Sequence, residues 1–225
     1  MNISRYSLLF LLTIANISAH ALTSENADTL VREPAVVPFV RLGVDVSSIA
    51  RSLVEPEVQQ FELSIDSELI RNWFFTLEGG ISRVNSQQED FTYNSQGYFF
   101  KAGADYNLLG RPHALQNDLV ILGLRYAYGG LSHEAPEFFI ANPYWGDTTD
   151  ELAPGNYHQQ WIEFVGGVKT ELFKNLFLSW TLRTRVRLND WGNTELEPYY
   201  IGGFGHGRRK APLVVQYSVL YRFGL

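Results

Sequence analysis

Apolar and polar residues alternate with a period of two in eight separate runs, the signature of strands with one face in an apolar medium. The last run shows it best. Val215, Tyr217, Val219, Tyr221 and Phe223 alternate with Gln216, Ser218, Leu220 and Arg222, and the sequence stops at Leu225. A closing strand of this kind is expected where an outer-membrane barrel seals on itself. The other runs are Phe39 to Ser47, Gln59 to Asp66, Asn72 to Val84, Gly97 to Asn107, Leu119 to Leu131, Gln160 to Leu172 and Leu176 to Leu188, with the last from Leu213 to Phe223. Between them, Ile70-Arg71-Asn72 and Lys174-Asn175 predict tight turns, and the stretch around Gly110-Arg111-Pro112 a longer one. His133 to Gln159 and Asn189 to Pro212 predict long loops at the opposite end. Short turns on one side and long loops on the other predict an all-β, eight-stranded antiparallel up-and-down transmembrane barrel, its short turns and both termini in the periplasm. No internal repeat stands out.

The positions between the apolar residues carry charge. They give Arg41, Lys101, Arg125, Lys169, Arg183, Arg185, Arg187 and Arg222 against Asp45, Glu62, Asp66, Glu78, Asp105, Glu163 and Glu171. Near the bilayer midplane each would cost a few kcal/mol if it faced lipid. Facing inward, they can pair with one another. Pairing across the Lys174-Asn175 turn sets Glu163 opposite Arg185 or Arg187. Eight strands enclose just enough room for their own side chains, so the lumen is expected to be filled by this network and to lack a water channel. The competing soluble barrel would need Trp73, Phe75, Phe100, Trp180, Tyr217 and Tyr221 inside and the charges outside.

Composition adds location. Arg5 followed by the apolar run Tyr6 to Ile17 and by Ala19-His20-Ala21 predicts a signal peptide over residues 1–21, with cleavage after Ala21 and export. Residues 22–38 are polar and Pro-punctuated, an expected periplasmic lead-in to a barrel domain over 39–225. Aromatic residues make up 14% of the 225, suited to interfacial girdles. The absence of cysteine excludes a disulfide framework and any thiolate metal site. A net charge of -6 gives no footprint for nucleic acid.

The stretches Phe100-Lys101-Ala102-Gly103-Ala104-Asp105-Tyr106-Asn107, Gly123-Leu124-Arg125-Tyr126 and Asn142-Pro143-Tyr144-Trp145-Gly146, with Gly43-Val44-Asp45-Val46-Ser47 before them, resemble an uncharacterised, domain-of-unknown-function family of small bacterial outer-membrane barrels. Their order and spacing span the chain from Phe39 onward. The resemblance implies the barrel and says little about mechanism.

Three function classes compete. A lipid A-modifying rim enzyme would draw on His133, His158 or His206. Ser132-His133-Glu134 is the nearest approach to a catalytic fragment, but successive strand residues face opposite ways, and a water-exposed loop histidine is expected at 133. A narrow channel would use the charged lumen. The expected function is neither: a non-enzymatic structural or interaction component of the outer membrane, such as an accessory subunit of a barrel-assembly or surface-lipoprotein complex, with no cofactor or metal. Pro143, Tyr144 and Trp145 are candidates for contacting another outer-membrane protein or a surface lipoprotein, or for folding over the barrel mouth. Arg208, Arg209 and Lys210 are candidates for lipopolysaccharide phosphates, since guanidinium forks match phosphate oxygens.

Overall fold

The computed structural model describes residues 39–88, 91–109, 117–140, 148–192, 198–207 and 212–224. The expected signal peptide and the lead-in lie outside them. The strands are β1 (Phe39–Asp45), β2 (Val58–Ile70), β3 (Trp73–Gln88), β4 (Phe91–Asn107), β5 (Leu119–Ile140), β6 (Thr148–Phe173), β7 (Leu176–Gly192), the short β8 (Tyr200–Ile201) and β9 (Gly205–His206), and β10 (Leu213–Gly224). All but β8 and β9 close into one eight-stranded antiparallel barrel. Each barrel strand pairs with its neighbour in the chain, and β1 closes on β10 from Phe39 opposite Gly224 to Asp45 opposite Ser218. The register places Glu163 opposite Arg185.

The outer surface is a belt of exposed aliphatic and aromatic side chains, among them Leu77, Phe100, Leu124, Phe164 and Trp180. Trp73 and Tyr106 bound it at the turn end, with ring centroids 5.1 Å apart, and Tyr98 and Tyr128 bound it at the mouth. From Tyr106 to Tyr98 the belt runs about 27 Å along β4, or ~20 Å along the barrel axis at the usual strand tilt, near the height of a hydrocarbon core.

Both tight turns follow one pattern. Glu68-Leu69-Ile70-Arg71-Asn72 leads into β3, and Glu171-Leu172-Phe173-Lys174-Asn175 leads into β7. In each, the asparagine has a left-handed backbone (φ 65° at Asn72, 68° at Asn175), which its short amide side chain tolerates. Its N–H donates to the glutamate four residues earlier, at 2.8 and 2.7 Å. The strand register shifts just before each turn. This is a short internal repeat, contrary to the sequence expectation. Two residues past each asparagine a phenylalanine, Phe74 or Phe177, turns inward.

Several strands outrun their predicted ends. β3, β4, β5 and β6 continue well above the belt, so the stretch expected as a loop from His133 to Gln159 is largely hairpin. From Tyr128 to the end of β5 the strand climbs a further ~40 Å along its own direction. The barrel is therefore tall on one side and low on the other. On the low side, β1 stops at Asp45 and a helix, α1 (Val46–Val54), replaces the predicted continuation through Ser47. Asp45 caps it: its carboxylate accepts from the Ser47 amide at 2.9 Å and from the Ser48 hydroxyl.

Candidate functional site

The lumen is built in three layers. At the turn end the Arg41 guanidinium lies 4.9 to 5.3 Å from the ring centres of Phe39, Phe74 and Phe177, beside buried Leu119 and Ile121. The middle layer is ionic. Its lower part joins Asp66 to Arg41 (2.5 Å) and Lys169 (2.6 Å), and Asp105 to Lys169 (3.3 Å) and Arg125 (2.7 Å). Its upper part surrounds the Lys101 ammonium with Glu62 (3.1 Å), Glu78 (3.5 Å) and Glu163 (3.6 Å). Arg183 bonds Glu78 through both terminal nitrogens at 2.6 and 3.0 Å, and Arg185 pairs with Glu163 at 2.9 Å. Arg125 links the two parts, its Nε reaching Glu78 at 3.5 Å. Long charged side chains fit because inward neighbours are small. A β-carbon at Gly123 would collide with an Asp105 carboxylate oxygen. The cavity left among these groups holds about 20 Å³, room for one water molecule.

The third layer closes the mouth. Residues 198–207 fold back over the lumen around β8 and β9. Phe204, wholly buried between these two strands, meets Trp161 edge to face at 5.6 Å and shares an apolar cluster with Phe99, Ala127, Leu131 and Ile201. Arg185 donates to the Phe204 carbonyl at 2.9 Å, so one side chain ties the ionic layer to the plug. Gln60 Oε1 accepts from the Tyr200 hydroxyl at 3.0 Å and the Gly203 amide at 3.1 Å. Gly203 sits at φ 73°, and a β-carbon there would lie 2.5 Å from the Phe99 ring.

Of the predicted lumen charges, Arg41, Glu62, Glu78, Lys101, Asp105, Arg125, Glu163, Lys169, Arg183 and Arg185 converge in this network. Arg222 stands apart at the turn-end rim, 3.3 Å from Glu171 and bonded to Asn175 and Asn117. Asp45 caps α1 and forms no ion pair among the described residues. Pro143, Tyr144 and Trp145, and Arg208, Arg209 and Lys210, lie outside the described residues.

The candidate histidines His133, His158 and His206 lie in three different settings. His133 is buried against the inner wall, not exposed to water, with Nδ1 3.4 Å from the Tyr93 hydroxyl. Burial pushes that phenol above its ordinary range, while hydrogen bonds from Ser95 and the Tyr199 backbone oppose the shift. His158 faces outward in the mouth-side girdle in a three-ring cluster with Tyr128 and Trp191, its Nδ1 2.8 Å from the Tyr128 hydroxyl. His206 packs edge-on to Tyr199 and Tyr200 in the plug. No group of acidic and histidine side chains suited to a metal ion occurs among the described residues. The plug leaves one faint mark in the sequence, Gly202-Gly203-Phe204-Gly205, glycines flanking one aromatic.

A closed eight-stranded barrel, greasy outside and ionic inside, defines a transmembrane β-barrel of the outer-membrane type. The chain belongs to the family described as Domain of unknown function (DUF6048), which matches residues 1–225. Among solved structures it is similar to a major outer membrane protein from Thermus thermophilus, with 13% identity and a TM-score of 0.48 over 84% of this chain and 100% of that one. It is also similar to the N-terminal β-barrel domain of Pseudomonas aeruginosa OprF, at 11% and 0.32 over 84% and 100%. Ail, the attachment invasion locus protein of Yersinia pestis, is a third, at 8% and 0.38 over 83% and 97%. No curated protein matches the sequence.

Proposed function

We propose that this chain is a non-enzymatic, non-conducting outer-membrane barrel that serves as an interaction component. In this reading its tight turns face the periplasm and its tall wall stands outside the cell. The packed lumen carries the proposal: the cavity among the ionic groups has room for about one water, with an aromatic layer below it and the plug above it, which supports a lumen without a continuous water path. What remains available is the outer surface of β3 to β6, raised beyond the membrane, with α1 beside it. That shape suits an accessory subunit docked on a larger outer-membrane complex of the barrel-assembly or surface-lipoprotein kind.

Two measurements test this. In planar bilayers, both the intact protein and a form with residues 198–207 replaced by a short turn give no discrete conductance steps, because the ionic layer persists without the plug; stable steps from the intact protein would refute the non-conducting claim. Mild detergent extraction from native membranes, with crosslinkers placed on the outward face of β5 above the belt, yields a defined outer-membrane partner. Uniformly uncrosslinked protein sinks the accessory-subunit reading.

A further inference from the structure

The outer wall changes character across a single register step. Phe61, Ile81 and Tyr98 lie opposite one another on β2, β3 and β4 and form the last apolar row of the belt. The next row, two residues higher, is Gln59, Arg83, Gln96 and Ser132. The row above that is Asn85, Asn94 and Glu134. The boundary between hydrocarbon and headgroups falls between the first two rows.

Two grooves flank Arg83 at this boundary. One, of about 670 Å³, lies under α1, with Ile49 and Leu53 from the helix above Phe61 and Ile81 from the wall. The other, of about 600 Å³, runs over β3, β4 and β5 and is lined by Asn85, Asn94, Ser132 and Glu134. Arg83 and Gln96 line both. Arg83 is exposed and forms no ion pair among the described residues. The Ser52 hydroxyl accepts from the Gln60 backbone N–H at 3.2 Å, which fastens α1 to β2 beside the first groove.

From this juxtaposition we infer a binding site for one phosphorylated glycolipid of the outer leaflet. An acyl chain occupies the groove under α1, which continues the lipid-facing belt. The phosphate meets Arg83, whose planar fork suits phosphate oxygens. The sugar lies across the amide, hydroxyl and carboxylate groups of the second groove, which can donate to and accept from sugar hydroxyls. The site rests on the membrane-embedded part of the proposed function and is independent of any protein partner.

The test is native mass spectrometry of the detergent-purified, folded barrel titrated with bisphosphorylated lipid A. Phosphatidylethanolamine and dephosphorylated lipid A serve as competitors. The expected result is saturation at one lipid A per barrel, with little displacement by either competitor. Arg83→Gln weakens binding about tenfold, the size of one lost charge-assisted bond, and Arg83→Lys, which keeps the charge but loses the fork, recovers only part of it. Leu53→Ser weakens binding without touching the headgroup site. Both positions are exposed, and heat-modifiable gel mobility verifies that each variant is folded. Equal binding by folded wild-type, Arg83→Gln and Leu53→Ser proteins overturns the inference, as does equal competition by phosphatidylethanolamine. Those failures leave the proposed function standing, whereas a barrel that folds without detergent or lipid removes both.

Discussion

Replacing Lys101 by methionine tests whether the ionic layer holds the barrel together. Lys101 is 2% exposed and its ammonium faces three carboxylates, with Glu62 approached through both oxygens at 3.1 and 3.2 Å. Methionine fills nearly the same volume, so the change removes charge and leaves packing largely intact. Breaking a buried ion pair by deleting one partner costs ~3–5 kcal/mol, because the other charge stays buried without compensation. Here three acids lose a shared partner. Arg183 and Arg185 still serve Glu78 and Glu163, whereas among the described residues Glu62 keeps the Gln216 amide at 3.0 Å. The loss should therefore fall within that range and centre on Glu62. Adding Glu62→Gln to Lys101→Met removes the orphaned charge and recovers at least ~1 kcal/mol. Urea titrations in phospholipid vesicles, followed by tryptophan fluorescence and gel mobility, give the free energies. A Lys101→Met barrel within ~1 kcal/mol of wild type would contradict the idea that the lumenal charges act as a mutually dependent set.

Two further outcomes follow from the wall and the plug. Leu124→Arg, near mid-height of the lipid-facing belt, costs ~2–4 kcal/mol in the same titration; a neutral result would mean this face does not meet hydrocarbon. Gly203→Ala forces a β-carbon against Phe99 at a positive φ and costs ~1–3 kcal/mol, seen as faster proteolysis within residues 198–207 while the barrel stays intact.

The belt and the lumen were legible because lipid and a crowded axis impose opposite demands on alternate residues. Leu122, Leu124 and Tyr126 face one and Gly123 and Arg125 the other, so periodicity alone sorts them. The same signal failed above the membrane. There the outside turns polar, with Arg83, Asn85, Gln96 and Glu134, while the inside turns apolar, with Val84, Tyr93, Leu131 and Tyr157 packed near the plug. The alternation inverts, and a reading keyed to outward grease ends β3, β4 and β5 too soon and starts β6 too late. That is why His133 was expected in water. At α1, Val46 continues the strand period of Leu42 and Val44, which masked the Asp45 and Ser48 cap that starts the helix. The plug left little trace because its fit depends on Phe99, Trp161 and Arg185, distant in sequence.

The repeated glutamate-to-asparagine clasp gives two of the hairpins an alignment of their own. Each can zip upward from its closed end before it meets the rest of the sheet, since the bend dictates which residues face each other. Assembly then becomes a matter of joining pre-aligned pairs along the remaining seams, and an error of one residue, which in the β6–β7 pair would turn Arg183 and Arg185 toward the acyl chains, is blocked at the point where each pair begins.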